Sequence, residues 1–194
     1  MPEKSRPPKR AQEEKRRSAP TLGSPRVADA HAIRSLIAAC QPLDLNSTYA
    51  YLLLCEHFST TCVRADAQGD TVGFVSAYRP PRRQETIFVW QVAVHAAARG
   101  QGLGGRMLRE LLSRPEVRGC RYLETTVSPS NAASMRMFEG LARALDAPLA
   151  RQAMFQEEDF GAERHESETL LRIGPFAALP AELRAALDED PHQP

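Results

Sequence analysis

No stretch of this chain approaches the roughly 20 consecutive apolar residues that a membrane-spanning helix needs. The N-terminus has no apolar core of the kind that a secretion signal carries. The chain is therefore expected to work in the cytoplasm, away from any membrane. It has no Cys-x-x-Cys pair. Its four cysteines, Cys40, Cys55, Cys62 and Cys120, are scattered through apolar patterns. Buried free thiols fit that better than disulfides or a zinc site. Neither sign of charge is in excess, with 25 Lys and Arg against 24 Asp and Glu, so the chain as a whole suggests no nucleic-acid partner. No Gly-Lys-Ser/Thr follows a glycine run, which removes the Walker phosphate loop. No internal repeat is present.

The charge that is there is unevenly spread. Residues 1–20 hold seven Lys and Arg, three acids, four prolines and no large apolar residue beyond Met1. Such a segment cannot bury a core and reads as a disordered basic tail. A solvated extension is favoured over one that touches nucleic acid or anionic lipid. Residues 21–177 then form a single domain of ordinary size. Residues 178–194 are a Pro- and acid-rich tail in which a short helix fits 180–187. Residues 21–194 carry 18 basic and 21 acidic side chains, a net charge of −3, which weakly suits a cationic substrate.

The most informative stretch runs from Trp90 to Leu108. Residues 86–94 are rich in β-branched and aromatic side chains and read as a strand. Residues 99–105 contain four glycines and read as a tight loop. Leu103, Met107, Leu108, Leu111 and Leu112 then fall at helical spacing with one apolar face. Strand, glycine loop and helix together leave backbone N–H groups unpaired at the helix start. Those groups and the helix dipole favour an anion, commonly a phosphate. A dinucleotide fingerprint fits poorly, because a hairpin pattern precedes the unit rather than a chain of βαβ repeats.

The rest can be placed around that unit. Residues 21–27 form a short first strand. Asp29 caps a helix to about Ala39, and Pro42 stops it. Asn46 or Ser47 caps a second helix over 48–57. Residues 61–65 and 71–78 are strands joined across Gly69, with the proline-bearing loop 79–84 after them. Residues 121–127 are a strand. Asn131 caps a helix to about Leu145. Residues 153–155 and 169–173 complete the set as the last two strands, with an acidic loop over 156–167 between them.

Arg99-x-x-Gly102-x-Gly104 resembles the R/Q-x-x-G-x-G/A motif of the GNAT acetyltransferases. The β-α-α-β-β-β-α-β-α-β-β order resembles theirs as well. The resemblance implies an α/β (α+β) GNAT fold, in which a mixed, mostly antiparallel sheet splays open at its central strand and is flanked by helices. It narrows further. Pro42-Leu-Asp-x-Asn-Ser-x-Tyr, Ile87-Phe-Val-Trp-Gln-Val-Ala-Val, Tyr122-Leu-Glu-Thr-Thr-Val-x-Pro-x-Asn and His165-x-x-Glu168 look like the L-2,4-diaminobutyrate acetyltransferases of ectoine biosynthesis. The likeness runs from about Arg26 to Phe176.

That resemblance implies acetyl-CoA as cosubstrate, a small diamine as acceptor, no metal and a homodimer. It implies that Gln91, Val92, Ala93 and Val94 offer backbone groups to the pantetheine amides. It implies that Arg99, Gly100, Gln101, Gly102, Leu103, Gly104 and Gly105 hold the pyrophosphate, and that Asn131 contacts the pantetheine arm. Acetyl then passes to the γ-amine of L-2,4-diaminobutyrate by direct attack, because none of the cysteines lies in these motifs. Where many such enzymes place a tyrosine to protonate the leaving thiolate, this chain has Phe138, so no general acid is assigned.

The acceptor side is argued from chemistry. A diamino acid presents two ammonium groups and one carboxylate, and the attacking nitrogen must be neutral. We expect Asp44 and Glu168 to hold the amines, Trp90 to wall the pocket, and Asn46, Ser47 or Tyr49 to add hydrogen bonds. Each has a plainer alternative: Asp44 as a turn or cap residue, Trp90 as core, Glu168 as a solvated acid. His165 is either a base or an unspecialised loop histidine. Glu168, directly or through water, is the expected general base. His165-x-x-Glu168 lacks a third ligand for a metal. Two other readings stay open, an acetyltransferase for a different small amine and a non-catalytic CoA-binding module.

Overall fold

The computed structural model describes residues 19–162 and 164–176. In chain order the strands are β1 (Thr21–Gly23), β2 (Val63–Ala67), β3 (Asp70–Tyr78), β4 (Thr86–Val94), β5 (Tyr122–Val127), β6 (Leu149–Phe155) and β7 (Glu168–Ile173). The helices are α1 (Ala30–Ala38), α2 (Thr48–His57), α3 (Leu103–Leu112) and α4 (Ala132–Ala144). They form one sheet in the order β1-β2-β3-β4-β5-β7-β6. Every neighbouring pair is antiparallel except β4 and β5, which run parallel. A parallel pair needs a crossover, and α3 supplies it.

Among the described residues the expected strands and helices form, and the differences lie at their ends. β1 stops at Gly23. β6 begins at Leu149, four residues earlier than its apolar end suggests. It is an edge strand whose side chains are mostly exposed, so it carries little of the alternation that a half-buried strand shows. Most of the basic tail, and the short helix fitted to 180–187, lie outside the described residues.

The two faces of the sheet bury different helices. On one face α3 contributes Leu103, Met107, Leu108, Leu111 and Leu112, and α4 contributes Phe138, Leu141 and Ala142. They pack on Val63, Val75, Ile87, Val89, Leu123, Leu171 and Ile173. Full burial of each Val, Leu, Ile, Phe or Met among them is worth ~1.5–3 kcal/mol. On the other face α1 and α2 cover only Cys62, Phe74 and Ala93, through Ile33, Ile37, Tyr51 and Leu54. Among the described residues no α-helix covers the β5–β7–β6 part of this second face, and the cleft described below lies there.

Arg114, after α3, is buried. Its Nη1 donates to the carbonyls of Ser59, Thr60 and Cys62 at 3.3, 3.2 and 2.6 Å. It thereby ties the end of the crossover helix to the turn that leads into β2.

Candidate active site

The parallel ladder of β4 and β5 runs from Thr86–Tyr122 to Val89–Thr125 and stops there. β4 continues to Val94. Its residues 90–94 therefore have no strand partner on the β5 side, and the sheet is open at that point.

On its other edge β4 slips register against β3 between Ser76 and Ala77, so Trp90 has no partner strand residue there either. A β-bulge of this kind re-aims side chains. Before it, Ile87 and Val89 face the α3–α4 core. After it, Val92 and Val94 pack against that core, while Ala93 faces the other side. The slip turns two consecutive side chains, Trp90 and Gln91, toward the same cleft, and both line it. Trp90 is 43% exposed. It is a wall residue, not a core one.

Gln91 is buried, and both of its side-chain polar atoms have partners. Its N–H donates to Ser76 Oγ at 3.1 Å, and its Nε2 donates to the Asp44 carbonyl at 2.7 Å. The Tyr51 hydroxyl donates to Gln91 Oε1 at 3.5 Å and accepts from the Asn46 N–H at 3.3 Å. The loop before α2 is thus fastened to the open part of β4.

The start of α3 has the geometry of an anion cradle. Gly100 and Gly102 have φ of +75° and +70°, a region that side chains with a Cβ disfavour. Gly102 is the N-cap residue and no side chain caps the helix, so its first N–H groups are left for a ligand. A Cβ on Gly104 would stand 2.7 Å from Met137 Sδ, so the glycine lets α3 and α4 approach closely. Arg99 Nε donates to the Val94 carbonyl at 3.0 Å and Gln101 Nε2 to the Ala97 carbonyl at 3.1 Å. These bonds hold the loop against the end of β4. Asn131 caps α4, its Oδ1 accepting from the Ser134 N–H at 3.1 Å, and it also lines the cleft. An open strand that leads to an uncapped helix start fits a ligand with amides at one end and a pyrophosphate at the other.

The acceptor side is a cleft of about 450 Å3 on the uncovered face. Three titratable groups meet in it. His165 Nε2 lies 3.3 Å from Asp44 Oδ2 and 3.9 Å from Glu168 Oε1. The His165 ring stacks on Phe160, with centroids 3.9 Å apart and planes 16° from parallel. Its Nδ1 lies 2.7 Å from the Glu166 carbonyl. That carbonyl raises the His165 pKa above its ordinary value, with Asp44 and Glu168 adding to the shift against the pull of burial.

Burial raises the Glu168 carboxyl, against the opposing pull of the Thr126 hydroxyl and of His165. Glu168 Oε2 is buried with no hydrogen-bond partner among the described residues. Glu166 holds the loop in place, accepting from the Ser130 N–H at 3.1 Å.

Of the acceptor residues expected from sequence, Asp44, Trp90, His165 and Glu168 come together in this cleft. Asn46, Ser47 and Tyr49 do not line it. Asn46 spends its N–H on Tyr51, Ser47 caps α2 by accepting from the Ala50 N–H at 3.2 Å, and Tyr49 is 67% exposed. The Gln91 side chain, Arg83, Thr126 and Phe160 line the cleft and were not singled out from sequence. A glutamine at a core-facing strand position was the one available signal. Arg83, in a run of charged and proline residues, offered none.

Burial lifts the Cys55 thiol to about 11 and the Cys62 thiol to about 12, which makes both poor nucleophiles. Among the described residues no group of three or more His, Cys, Asp or Glu is placed to hold a metal ion. No helix among them is long and apolar enough to cross a membrane.

The pattern of the Acetyltransferase (GNAT) family matches residues 30–142, which spans the central strand, the glycine loop and α4. The chain belongs to this family. Within the GNAT acetyltransferases it is similar to the L-2,4-diaminobutyric acid acetyltransferase of Bordetella parapertussis, 53% identical over 160 residues that cover 82% of this chain and 86% of the relative. The enzyme of that name from Methylotuvimicrobium alcaliphilum is 47% identical, over 83% of this chain and 94% of its own length. Among solved structures, the diaminobutyrate acetyltransferase EctA from Paenibacillus lautus superposes with a TM-score of 0.80 at 42% identity. That match covers 84% of this chain and 99% of the other. The EctA structure holds L-2,4-diaminobutyric acid and coenzyme A.

Proposed function

We propose that this protein transfers the acetyl group of acetyl-CoA to the γ-amine of L-2,4-diaminobutyrate, the acetylation step of ectoine biosynthesis. The observation that carries this reading is the convergence of Asp44, His165 and Glu168 with Trp90 beside the open end of β4. It occurs in a chain 42% identical to an enzyme solved with that substrate and coenzyme A.

The cleft suits a diamine. Asp44 and Glu168 offer carboxylates to the two amines, and Trp90 offers a ring face to the carbon chain or to an ammonium. Acetyl-CoA runs along residues 91–94 with its pyrophosphate over the first N–H groups of α3. Asn131 meets the pantetheine arm.

The attacking nitrogen needs a free electron pair. Glu168 is the candidate base, directly or through one water. Burial that raises its pKa makes it a better proton acceptor than an ordinary carboxylate. The neutral amine attacks the thioester carbonyl, and a backbone N–H facing the gap at β4 steadies the oxyanion. The attacking nitrogen gives up its second proton to solvent, and collapse expels the CoA thiolate, which takes a proton back from solvent. Phe138 is buried and has no proton to give. The protein works in the cytoplasm, where buried thiols stay reduced. The homodimer implied by the family resemblance fits the exposed edge strand β6, and size-exclusion chromatography checks it.

The test is CoA release with L-2,4-diaminobutyrate beside ornithine, lysine, 2,3-diaminopropionate and spermidine. The reading predicts the highest kcat/KM for diaminobutyrate. Preference for another amine would move the substrate while keeping the fold and cosubstrate. CoA binding without turnover of any amine would favour a binding module.

A further inference from the structure

Arg83 closes the cleft at a place where the other groups do not supply its charge. Among the described residues that line the cleft it is the one guanidinium. It also lines a second cavity of about 330 Å3 on the same face of the sheet, and it is shared between the two with Met154. Beneath it lies Glu124 on β5, which is fully buried. Arg172 on β7 donates to Glu124 Oε1 and lies over the Tyr122 ring, 3.8 Å from its centroid. Arg83 Nη1 stands 3.0 Å from Glu124 Oε2. That oxygen accepts no aligned hydrogen bond among the described residues, so the N–H bonds of Arg83 are not spent on it.

The charge count leaves a surplus. Glu124 brings one negative charge to two guanidiniums, Arg83 and Arg172, so the cluster keeps one net positive charge over a buried base, and Arg83 is the member that presents it to the cleft. Its side chain is 43% exposed, while that of Glu124 beneath it is not exposed at all. The cleft is therefore bipolar. Asp44 and Glu168, bridged by His165, make one part acidic, and Arg83 makes another part basic. A diamine without a carboxylate has no use for the second part. An amino acid does, and a guanidinium fork matches a carboxylate well.

We infer that Arg83, held in place by Glu124, recognises the α-carboxylate of the acceptor and makes the enzyme select an amino acid over a plain diamine. The inference rests on the function proposed above. Arg83 is on this account a binding residue. Glu124 positions it, and Arg172 holds Glu124 from the β7 side.

The test compares L-2,4-diaminobutyrate with 1,3-diaminopropane, which has the same carbons between its amines and lacks the carboxylate, and with L-2,4-diaminobutyramide, where the carboxylate is a neutral amide. The full-length wild-type protein should favour diaminobutyrate over both. Arg83→Gln should lower the ratio of kcat/KM for diaminobutyrate over diaminopropane by ~10- to 100-fold, the scale of a lost charge-assisted hydrogen bond. Arg83→Lys should lower it less. An unchanged ratio, or an equal fall for both acceptors with a rise in KM for acetyl-CoA, would overturn the inference. If neither variant folds, the wild-type comparison of the acid with its amide decides, and equal kcat/KM for the two would overturn it. A wild-type protein that does not acetylate diaminobutyrate at all would sink the underlying function and this inference together.

Discussion

Gln91 Nε2 donates to the Asp44 carbonyl at 2.7 Å, across 47 residues of sequence. On the proposed reading one residue thus belongs to both halves of the reaction. Its backbone is part of the open edge of β4, and its side chain sets the loop that carries Asp44. Replacing it with leucine keeps the size and removes the bond. Gln91→Leu should raise KM for the diamine about tenfold, the scale of one buried hydrogen bond of ~1–1.5 kcal/mol. KM for acetyl-CoA should change little. Steady-state kinetics with each substrate varied in turn checks this, and a rise in both KM values would mean that β4 itself had moved.

The pH dependence should carry the mark of His165 and Asp44. Glu168 is raised by burial and by Asp44, and lowered by His165. His165→Gln should therefore raise the Glu168 pKa further and move the acidic limb of kcat/KM to higher pH. Asp44→Asn should move it the other way. The sign for stability follows from linkage. His165 is raised in the folded protein above its ordinary 6.5. Its contribution is complete below about 6.5 and is lost as pH rises through the higher folded value. Profiles of kcat/KM for the three proteins, with thermal melts across the same pH range, check both signs.

Much of this fold was legible because its elements announce themselves locally. The strand–glycine–helix unit over residues 86–112 carries both apolar periods and the loop between them. α4 shows its cap at Asn131 and its face at Phe138, Leu141 and Ala142. β6 was legible only at its end, because an exposed edge strand needs no alternation. The bulge at Trp90 was not legible. Residues 87–94 are apolar at nearly every position, so a slip of phase leaves no trace in the pattern. Its consequence, Trp90 and Gln91 facing one cleft, decides the site. Arg83 was hidden for another reason: its role depends on Glu124 and Arg172, from two strands far from it in sequence.

Gly102 tests the phosphate cradle. Its φ of +70° is a left-handed conformation, and an alanine there costs ~1–2 kcal/mol. Gly102→Ala should lower the melting temperature by a few degrees and raise KM for acetyl-CoA, with KM for the diamine little changed. A variant that melts lower but binds acetyl-CoA as well as wild type would show that the loop's backbone does not hold the pyrophosphate.

Arg114 tests stability apart from chemistry. Removing its guanidinium withdraws hydrogen bonds from the carbonyls of Ser59, Thr60 and Cys62, of which the bond to Cys62 is buried, at about 1–3 kcal/mol. Arg114→Ala should unfold at lower urea concentration, while both KM values at low temperature stay near wild type. A selective rise in the diamine KM would instead tie this corner to the cleft.

The measurement that bears most directly on the account is the position of the acetyl group. The purified protein is given acetyl-CoA labelled with 13C in the acetyl group and L-2,4-diaminobutyrate, and the product is read by NMR. The account predicts a single product, acetylated on the γ-nitrogen, with one CoA released per acetyl transferred. Acetyl on the α-nitrogen, or no acetylated diaminobutyrate from a protein that acetylates another amine, would contradict it.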